Sequence, residues 1–547
     1  MNNPLRVRLR WLRRRVSRAH WVARLIRLAQ PGGRTEENGL IMLQIDGLSR
    51  SQLERAMSQG KMPYLRSLLR DQRADLATFY SGLPSTTPAV QAEIFYGVKC
   101  AVPSFQFMDR TSGEIFRMYE HESSRQVEER LRAEGDRPLL EGGHCYSNIY
   151  RAGAAGSWYC SQDLEIGFML RRMHPVKGLI LAFLYSVRIL RMIGLTIVEI
   201  VLAISDSIGG AIERRNLLAE IKFIPARVFI CILVRELIRF RVLLDIESGI
   251  RIVHANFLGY DEQAHRRGPS SGFAHWSLKG IDRAVRDIHR AALRSGYRHY
   301  ELLVYSDHGQ EQVVPFERTH DRELAEIVGA VFARGKLAGC NIFMPSMPAV
   351  IGSAISWLRS LIGLHPIEGT PGDSVALGER IVVTALGPIG HVYLPVVLDP
   401  AELEAAAWAL VEAGVPMVAI KVREGGDVVV FNRSGRWQLP RDGAEVFGRN
   451  HPFFPEIVDD FIALIHHRNA GDLVLGGWVL GGIPGSFPNE NGAHGGPGIE
   501  ETRGFALIPA SLASGEFTDL LAKPWLRGLD LRELAIRLLA RGLPQMK

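Results

Sequence analysis

The chain has 547 residues, 47% of them hydrophobic and 22% charged, a composition that folds and excludes wholesale disorder, collagen-like repeats and low-complexity architecture. Five scattered cysteines (Cys100, Cys145, Cys160, Cys231, Cys340) exclude a disulfide framework and a paired-thiol zinc site. Reduced thiols are expected, with Cys145 and Cys160 the pair that would join in an oxidising compartment. The formal net charge is +7, and it is unevenly spread: nine arginines fall between Arg6 and Arg27 with no acid among them.

Those arginines open a segment, 1–38, in which Trp11, Trp21 and several leucines and valines are interleaved with the charges. Arginine on one side and Trp and Leu on the other describe a helix lying in the headgroup layer of an anionic membrane, with a solvated basic tail or an RNA-binding arm as the alternatives. Arg18, Arg24 and Arg27 interrupt every apolar core that a cleaved secretory or twin-arginine signal needs. The expectation is a membrane-associated protein at the cytoplasmic face of the inner or plasma membrane.

Residues 39–165 read as the first part of a catalytic α/β core. Leu40–Ile45 is a buried strand that runs into Asp46-Gly47, and residues 51–70 have helical spacing. An Asp before Gly is, alone, a turn residue. In Leu83-Pro84-Ser85-Thr86-Thr87-Pro88-Ala89, Thr87 is a good N-cap and Pro88 suits a first helical position. A helix starting there would aim free N–H groups at whatever lies in front, which suits a phosphate, with the Thr86 hydroxyl at the mouth.

Residues 166–250 form an apolar helical insertion. Its runs 178–187 and 193–204 are broken by Arg188, Arg191 and Glu199. A spanning helix needs about 20 apolar residues, and each central charge costs roughly 2.5–3.5 kcal/mol, so a simple span is not expected. Helices packed into one leaflet, or a greasy cap over a site for a lipid chain, fit better; buried helices of a soluble cap are the alternative.

Residues 251–330 continue the core. Val253–Leu258 and Leu302–Tyr305 repeat the pattern of a strand followed by polar residues. Asp261 and His265, four apart, share one face of a helical turn and can reach one ion; carboxylate with imidazole suits zinc or a similar divalent metal. In Ser306-Asp307-His308-Gly309 adjacent Asp and His diverge at a strand end, and Gly309 permits a sharp turn. Residues 331–480 read as a cap or accessory region with continuing core. Residues 481–547 hold the core's end, with the loop Asn491-Gly492-Ala493-His494-Gly495-Gly496-Pro497 and a C-terminal helix.

Strands alternating with helices predict an α/β three-layer sandwich around a mostly parallel sheet, with the apolar insertion and a smaller cap, and a ligand beyond the carboxyl ends of the strands. Asp46, Asp261, Asp307, His265, His308, His494 and Thr86 together suffice to hold two divalent metals around a hydroxyl. Two such ions, roughly 3.5–4 Å apart, can clamp the attacking and leaving oxygens of an in-line displacement at phosphorus.

The order Asp46, Thr86, Asp261 with His265, Asp307-His308 and His494 resembles the alkaline phosphatase superfamily, in its nucleotide pyrophosphatase/phosphodiesterase branch. The resemblance runs from about Leu40 to Ala510, with 166–250 outside it. It implies one metal on Asp261, His265 and His494, and another on Asp46, Asp307, His308 and the Thr86 hydroxyl, the ions being Zn2+ or Mn2+. It also implies that Thr86, two residues before Pro88 and in preference to Thr87, attacks phosphorus to give a phosphothreonine that water hydrolyses. Gln106 stands where the family often carries an Asn or Asp that touches a phosphoryl oxygen.

The expected function is a phosphodiesterase acting on a lipid or lipid-linked phosphate, with an anionic membrane surface and no specific nucleic acid as partner. Its rivals are a phosphomonoesterase or phosphoryl transferase of the same superfamily, and a non-catalytic membrane scaffold. His254, His275, His391, His466 and His467 read as packing or surface residues, and Arg266 and Arg267 as surface charges.

Overall fold

The computed structural model describes residues 35, 37–162, 186, 187, 189–198, 200, 229–320, 322–345, 380–422, 426–512 and 517–540. In chain order, the first strands are β1 (Gly39–Ile45), β2 (Ala74–Tyr80), β3 (His144–Tyr146), β4 (Gly156–Trp158), β5 (Ile252–Phe257) and β6 (Tyr300–Tyr305). Next come β7 (Asn341–Phe343), β8 (Arg380–Leu386), β9 (Ile389–Tyr393), β10 (Met417–Lys421), β11 (Val428–Asn432), β12 (Gly435–Leu439) and β13 (Leu473–Gly476), which make a second, mainly antiparallel sheet in the order β7-β8-β9-β13-β10-β11-β12. The last strand, β14 (Arg503–Pro509), returns to the first sheet, whose order is β2-β14-β6-β1-β5-β3-β4. There β6, β1, β5, β3 and β4 run parallel, and β14 is antiparallel to both its neighbours.

The helices used below are α1 (Arg50–Ser58), α2 (Pro63–Arg70), α3 (Thr87–Tyr96), α4 (Gly259–Arg267), α5 (Gly272–Ala292), α6 (Glu456–His466) and α7 (Gly528–Ala540). Every residue of β1 is buried, as expected of a strand with parallel neighbours and helices on both faces. Alternate side chains choose opposite cores. Leu40 and Met42 join Val90, Ile94 and Leu534 of α3 and α7, whereas Ile41, Leu43 and Ile45 join Leu53, Leu278 and Val285 of α1 and α5. The two-residue period of the strand thus builds the three layers.

The helical spacing of 51–70 resolves into two helices, α1 and α2. Gly60 breaks it with φ +68°, and Pro63, which has no N–H to give, starts α2. The carboxylate of Asp282 on α5 accepts from the backbone N–H of Tyr64 and Leu65 at 3.0–3.1 Å and so caps α2 from outside. The sulfurs of Cys145 and Cys160 lie 3.7 Å apart and are not joined in a disulfide.

The membrane-associated placement expected from the sequence is corrected here: among the described residues no helix is long and apolar enough to cross a membrane. Residues 1–34 and most of 166–228, which carried that expectation, lie outside the described residues.

A buried cation ties the two halves together. Arg527, just before α7, lies 3.4 Å from Glu93 of α3 and 2.5 and 2.9 Å from Glu456 and Asp460 of α6, with its guanidinium 5.0 Å from the Tyr80 ring centre. Burial pushes the Glu93 and Asp460 carboxyls up, against the pull of Arg527. Arg527→Ala would leave three facing carboxylates and is expected to cost about 3–5 kcal/mol at neutral pH. In that variant the folded chain holds more protons than the unfolded one, so its stability falls as pH rises. Urea denaturation should show the deficit relative to wild type shrinking towards about pH 5; a deficit independent of pH would count against this account.

Candidate metal centre

Three adjacent parallel strands end level, and each delivers an acid. Ile45 of β1 pairs with Phe257 of β5, and Gln44 pairs with Tyr305 of β6. Asp46 therefore follows β1 at the same height at which β5 turns into α4, with Asp261 in its first turn, and β6 runs into Asp307-His308. In such sheets, the carboxyl edge is where ligands bind. Thr86 and Thr87 arrive from the loop after β2, at the start of α3. His494 arrives from the loop before β14, where Gly492 and Ala493 pair with Gln312 and Glu311.

Side-chain atoms of Asp46, Asp307 and His308 lie within 4.8 Å of one another, and so do those of Asp261, His308 and His494. His308 Nε2 is 3.6 Å from Asp46 Oδ1 and 3.4 Å from Asp307 Oδ2, and His494 Nε2 is 3.8 Å from Asp261 Oδ1. The His308 and His494 rings stack with centroids 3.8 Å apart. Asp307 is completely buried, and neither carboxylate oxygen has a hydrogen-bond partner among the described residues. A buried carboxylate without donors is costly unless a cation answers it. This donor set, three carboxylates beside three imidazoles, fits a pair of divalent cations.

Each of the other acids and histidines is fixed from behind. The Nδ1–H of His308 donates to the Gly309 carbonyl at 2.9 Å, that of His494 to the Ser85 carbonyl at 2.9 Å, and that of His265 to Glu490 at 2.8 Å and to the Gly492 carbonyl at 3.0 Å. All three rings therefore turn Nε2 towards the centre, the arrangement in which outer partners set tautomer and orientation. The Asn256 amide donates to Asp46 Oδ2 at 2.6 Å, leaving Oδ1 facing His308, and Gln310 donates to Asp261 Oδ1.

The charges respond to this crowding. Burial pushes the Asp46 carboxyl well above the usual carboxylate range, and Asp307 and Asp261 add to it; burial likewise raises Asp307. Burial also disfavours the Asp261 carboxylate, but His265, His494 and His308 outweigh that and hold it below its ordinary value. For His265, burial opposes the charge, yet Asp261 and Glu490 push the imidazole well above the usual histidine range. His494 is held well below that range by burial and then by His308.

The expected residues thus assemble with three particulars. His265 is beside the centre, its Nε2 3.3 Å from Asp261 Oδ2, while the three-residue cluster around Asp261 takes His308. Thr86, not Thr87, is the N-cap of α3; its hydroxyl is buried without a hydrogen-bond partner among the described residues. The Thr87 hydroxyl instead lies 3.2 Å from His308 Nε2 and donates to Asp46 Oδ1 at 3.4 Å. Gln106 starts a short strand, Gln106–Met108, that pairs with Ile115–Arg117; it is buried, and its amide oxygen has no partner among the described residues.

His254, His275 and His391 are buried packing residues, and burial pushes His254 and His391 down to about 3. Gly309 is needed for close approach, since a Cβ there would lie 2.0 Å from the Glu500 carbonyl.

The groups that hold these side chains in place were not legible in the sequence. Asn256, a polar residue inside the buried strand β5, was the available signal; Gln310, Glu490 and Ser85 carried none. Glu501 is the most consequential. It is buried, and its two oxygens accept from the Gly496 and Gly498 N–H groups at 2.8 Å each and from the Ser85 hydroxyl at 3.2 Å. The Ser85 hydroxyl in turn lies 2.9 Å from the Gly495 N–H and from the Gly496 carbonyl. Glu501 and Ser85 together clamp the His494 loop to the residues just before Thr86.

Comparison with protein-family models found no match, and comparison with curated proteins found none either. Among solved structures, the chain is similar to phosphonoacetate hydrolase from Sinorhizobium meliloti 1021, with 14% identity over 93% of this chain and 97% of that one and a TM-score of 0.43. It is also similar to human ectonucleotide pyrophosphatase/phosphodiesterase 5, with 10% identity over the same shares and a TM-score of 0.45. The murine counterpart in complex with AMP gives 11% identity, the same shares and 0.44.

Asp307 supplies a test of the centre that needs no substrate. Its folded-state pKa is raised, so its charge costs stability progressively as pH rises above about 4, the unfolded value. In the presence of a chelator, Asp307→Asn should melt a few degrees above wild type, by a margin that widens towards about pH 8. Added divalent cation should raise the wild-type melting temperature by clearly more than that of the variant, which keeps only the cluster around Asp261. A variant that melts below wild type in chelator would contradict the account. Glu501→Ala, which strands three donors, should cost about 2 kcal/mol in denaturation and weaken cation binding measured by calorimetry. Unchanged cation affinity would show that the clamp does not position His494.

Proposed function

We propose that the chain is a metal-dependent phosphoester hydrolase, with one divalent cation held by Asp46, Asp307 and His308 and the other by Asp261, His265 and His494. The observation that carries this reading is the pair of clusters meeting at His308 on the carboxyl edge of the sheet, next to two threonine hydroxyls at a helix N-terminus. When bound, the two cations neutralise phosphoryl oxygens and lower the pKa of a hydroxyl beside them.

The chain's own residues supply the rest. The free N–H groups of the first turn of α3 face a phosphoryl group in front of Thr86. Thr86 forms the new bond to phosphorus as the ester oxygen leaves, and water then cleaves the phosphothreonine. Its hydroxyl is buried and has no hydrogen-bond partner among the described residues, which leaves it open to attack phosphorus. Asn256 and Gln310 hold one oxygen each of Asp46 and Asp261, and the carbonyls behind His308 and His494 keep Nε2 forward.

The contact of the Thr87 hydroxyl with Asp46 and His308 favours a second reading, in which Thr87 is the nucleophile. The diester preference is supported by the resemblance of the residue order, and a lipid-linked substrate by the apolar sequence of 166–250.

Purified protein with Zn2+ or Mn2+ should hydrolyse bis-p-nitrophenyl phosphate faster than p-nitrophenyl phosphate, and Thr86→Ala should lower the rate by several orders of magnitude. Loss in Thr87→Ala with Thr86→Ala active would move the attack to Thr87. A monoester preference would make the protein a phosphatase. Bound cation without turnover of either ester, or of a long-chain phosphodiester, would overturn the hydrolase reading in favour of a scaffold.

A further inference from the structure

Two segments away from the metal centre carry an excess of positive charge. Residues 55–73 and 272–294 together carry ten Lys and Arg against three Asp. Those segments include α2 and α5, which are joined by the Asp282 cap and by the Tyr64 hydroxyl 2.9 Å from His289 Nδ1.

Between them lies a groove of about 420 Å³, lined by Lys61, Tyr64, Lys279, Asp282, Arg283 and Arg286 among others. All four cations are half-buried in its walls. Lys279, Arg283 and Arg286 recur at four and three residues, one stripe of α5 that spans roughly 10 Å at 1.5 Å per residue. Arg290 continues the stripe, and both Arg290 and Arg73 are near enough to pull on the Tyr64 phenol.

Two acids stand on α5 beside them, and of the four cations only Arg286 is ion-paired with either. Asp282 is 2% exposed and gives both oxygens to the backbone N–H groups of α2. Asp287 pairs with Arg286 at 3.2 Å and with Arg239 at 3.5 Å. No ion pair joins Lys61, Lys279 or Arg283 to an acid among the described residues. Lys61, Lys279 and Arg283, half-buried and held together by the packing of two helices, repel one another until an anion is present.

We infer that this groove is a second binding site, for a soluble molecule bearing two or more linked phosphate groups. One phosphate cannot reach cations spread over roughly 10 Å, whereas a chain of linked phosphates can touch the whole stripe. The volume suits a small molecule. The site lies at the far end of α1 from Asp46: the helix starts just after Asp46-Gly47, and Lys61 follows its last turn. It shares no residue with the metal centre, and the inference does not rest on the proposed hydrolase activity.

The probe is inorganic tripolyphosphate, titrated calorimetrically into the full-length chain in chelator, so that the metal centre does not contribute. Saturable one-to-one binding is expected, weakened roughly tenfold or more in Lys279→Ala/Arg283→Ala and unchanged in Asp307→Asn. Lys61→Ala, outside α5, should also weaken it, which guards against a misfolded double variant. Absence of saturable binding would overturn the inference. So would equal affinity for sulfate at matched ionic strength, or equal binding by wild type and both groove variants.

Discussion

Three aspartates brought to one edge of a sheet, two of them buried, are the constraint on which the rest of the structure depends. Like charges this close and this buried cannot all remain ionised without a compensating cation. The burial that raises Asp46 and Asp307 is the same burial that gives β1, β5 and β6 their apolar faces, so the sheet and the centre are one energetic problem. The surrounding histidines answer part of that charge, and Asp307, whose oxygens have no hydrogen-bond partner among the described residues, shows where the answer is incomplete.

Precision at the centre comes from the second sheet as much as the first. The turn between β8 and β9 packs so tightly on the His494 loop that a Cβ on Gly387 would lie 2.6 Å from the His494 carbonyl. Glu501 then fastens the same loop to Ser85, next to the threonines. Arg527 draws the start of α7, the C-terminal turn of α3 and α6 together, which fixes the helix whose N-terminus faces the ligands. Buried charge therefore organises the molecule twice, once at the centre and once where its two halves meet.

Much of this was legible because strands and ligands are local patterns. An apolar run ending in Asp-Gly or in Asp-His marks a strand and its polar end, and Leu40–Ile45 and Leu302–Tyr305 are the cores of β1 and β6. Asp261 and His265 fall on α4, as their spacing requires. Less was legible where position is set by distant chain. Thr86 and Thr87 are adjacent and chemically identical, and only the packing of α3 decides which hydroxyl meets Asp46. Gly309 looked like a turn residue, but what it avoids is a backbone carbonyl nearly two hundred residues away.

By itself the sequence determined the α/β class, the acids at the strand ends and the set of groups suited to divalent cations. These follow from hydrophobic periodicity and side-chain chemistry, which act over a few residues. The tertiary structure alone decided that His308 is common to both clusters, that Asn256, Gln310 and Glu490 hold Asp46, Asp261 and His265 while Glu501 holds the His494 loop, and that the cations of α5 line a groove with Lys61. Those outcomes depend on parallel register, on loops meeting from opposite ends of the chain and on which charges are buried together. Such contacts are formed only when the whole core closes.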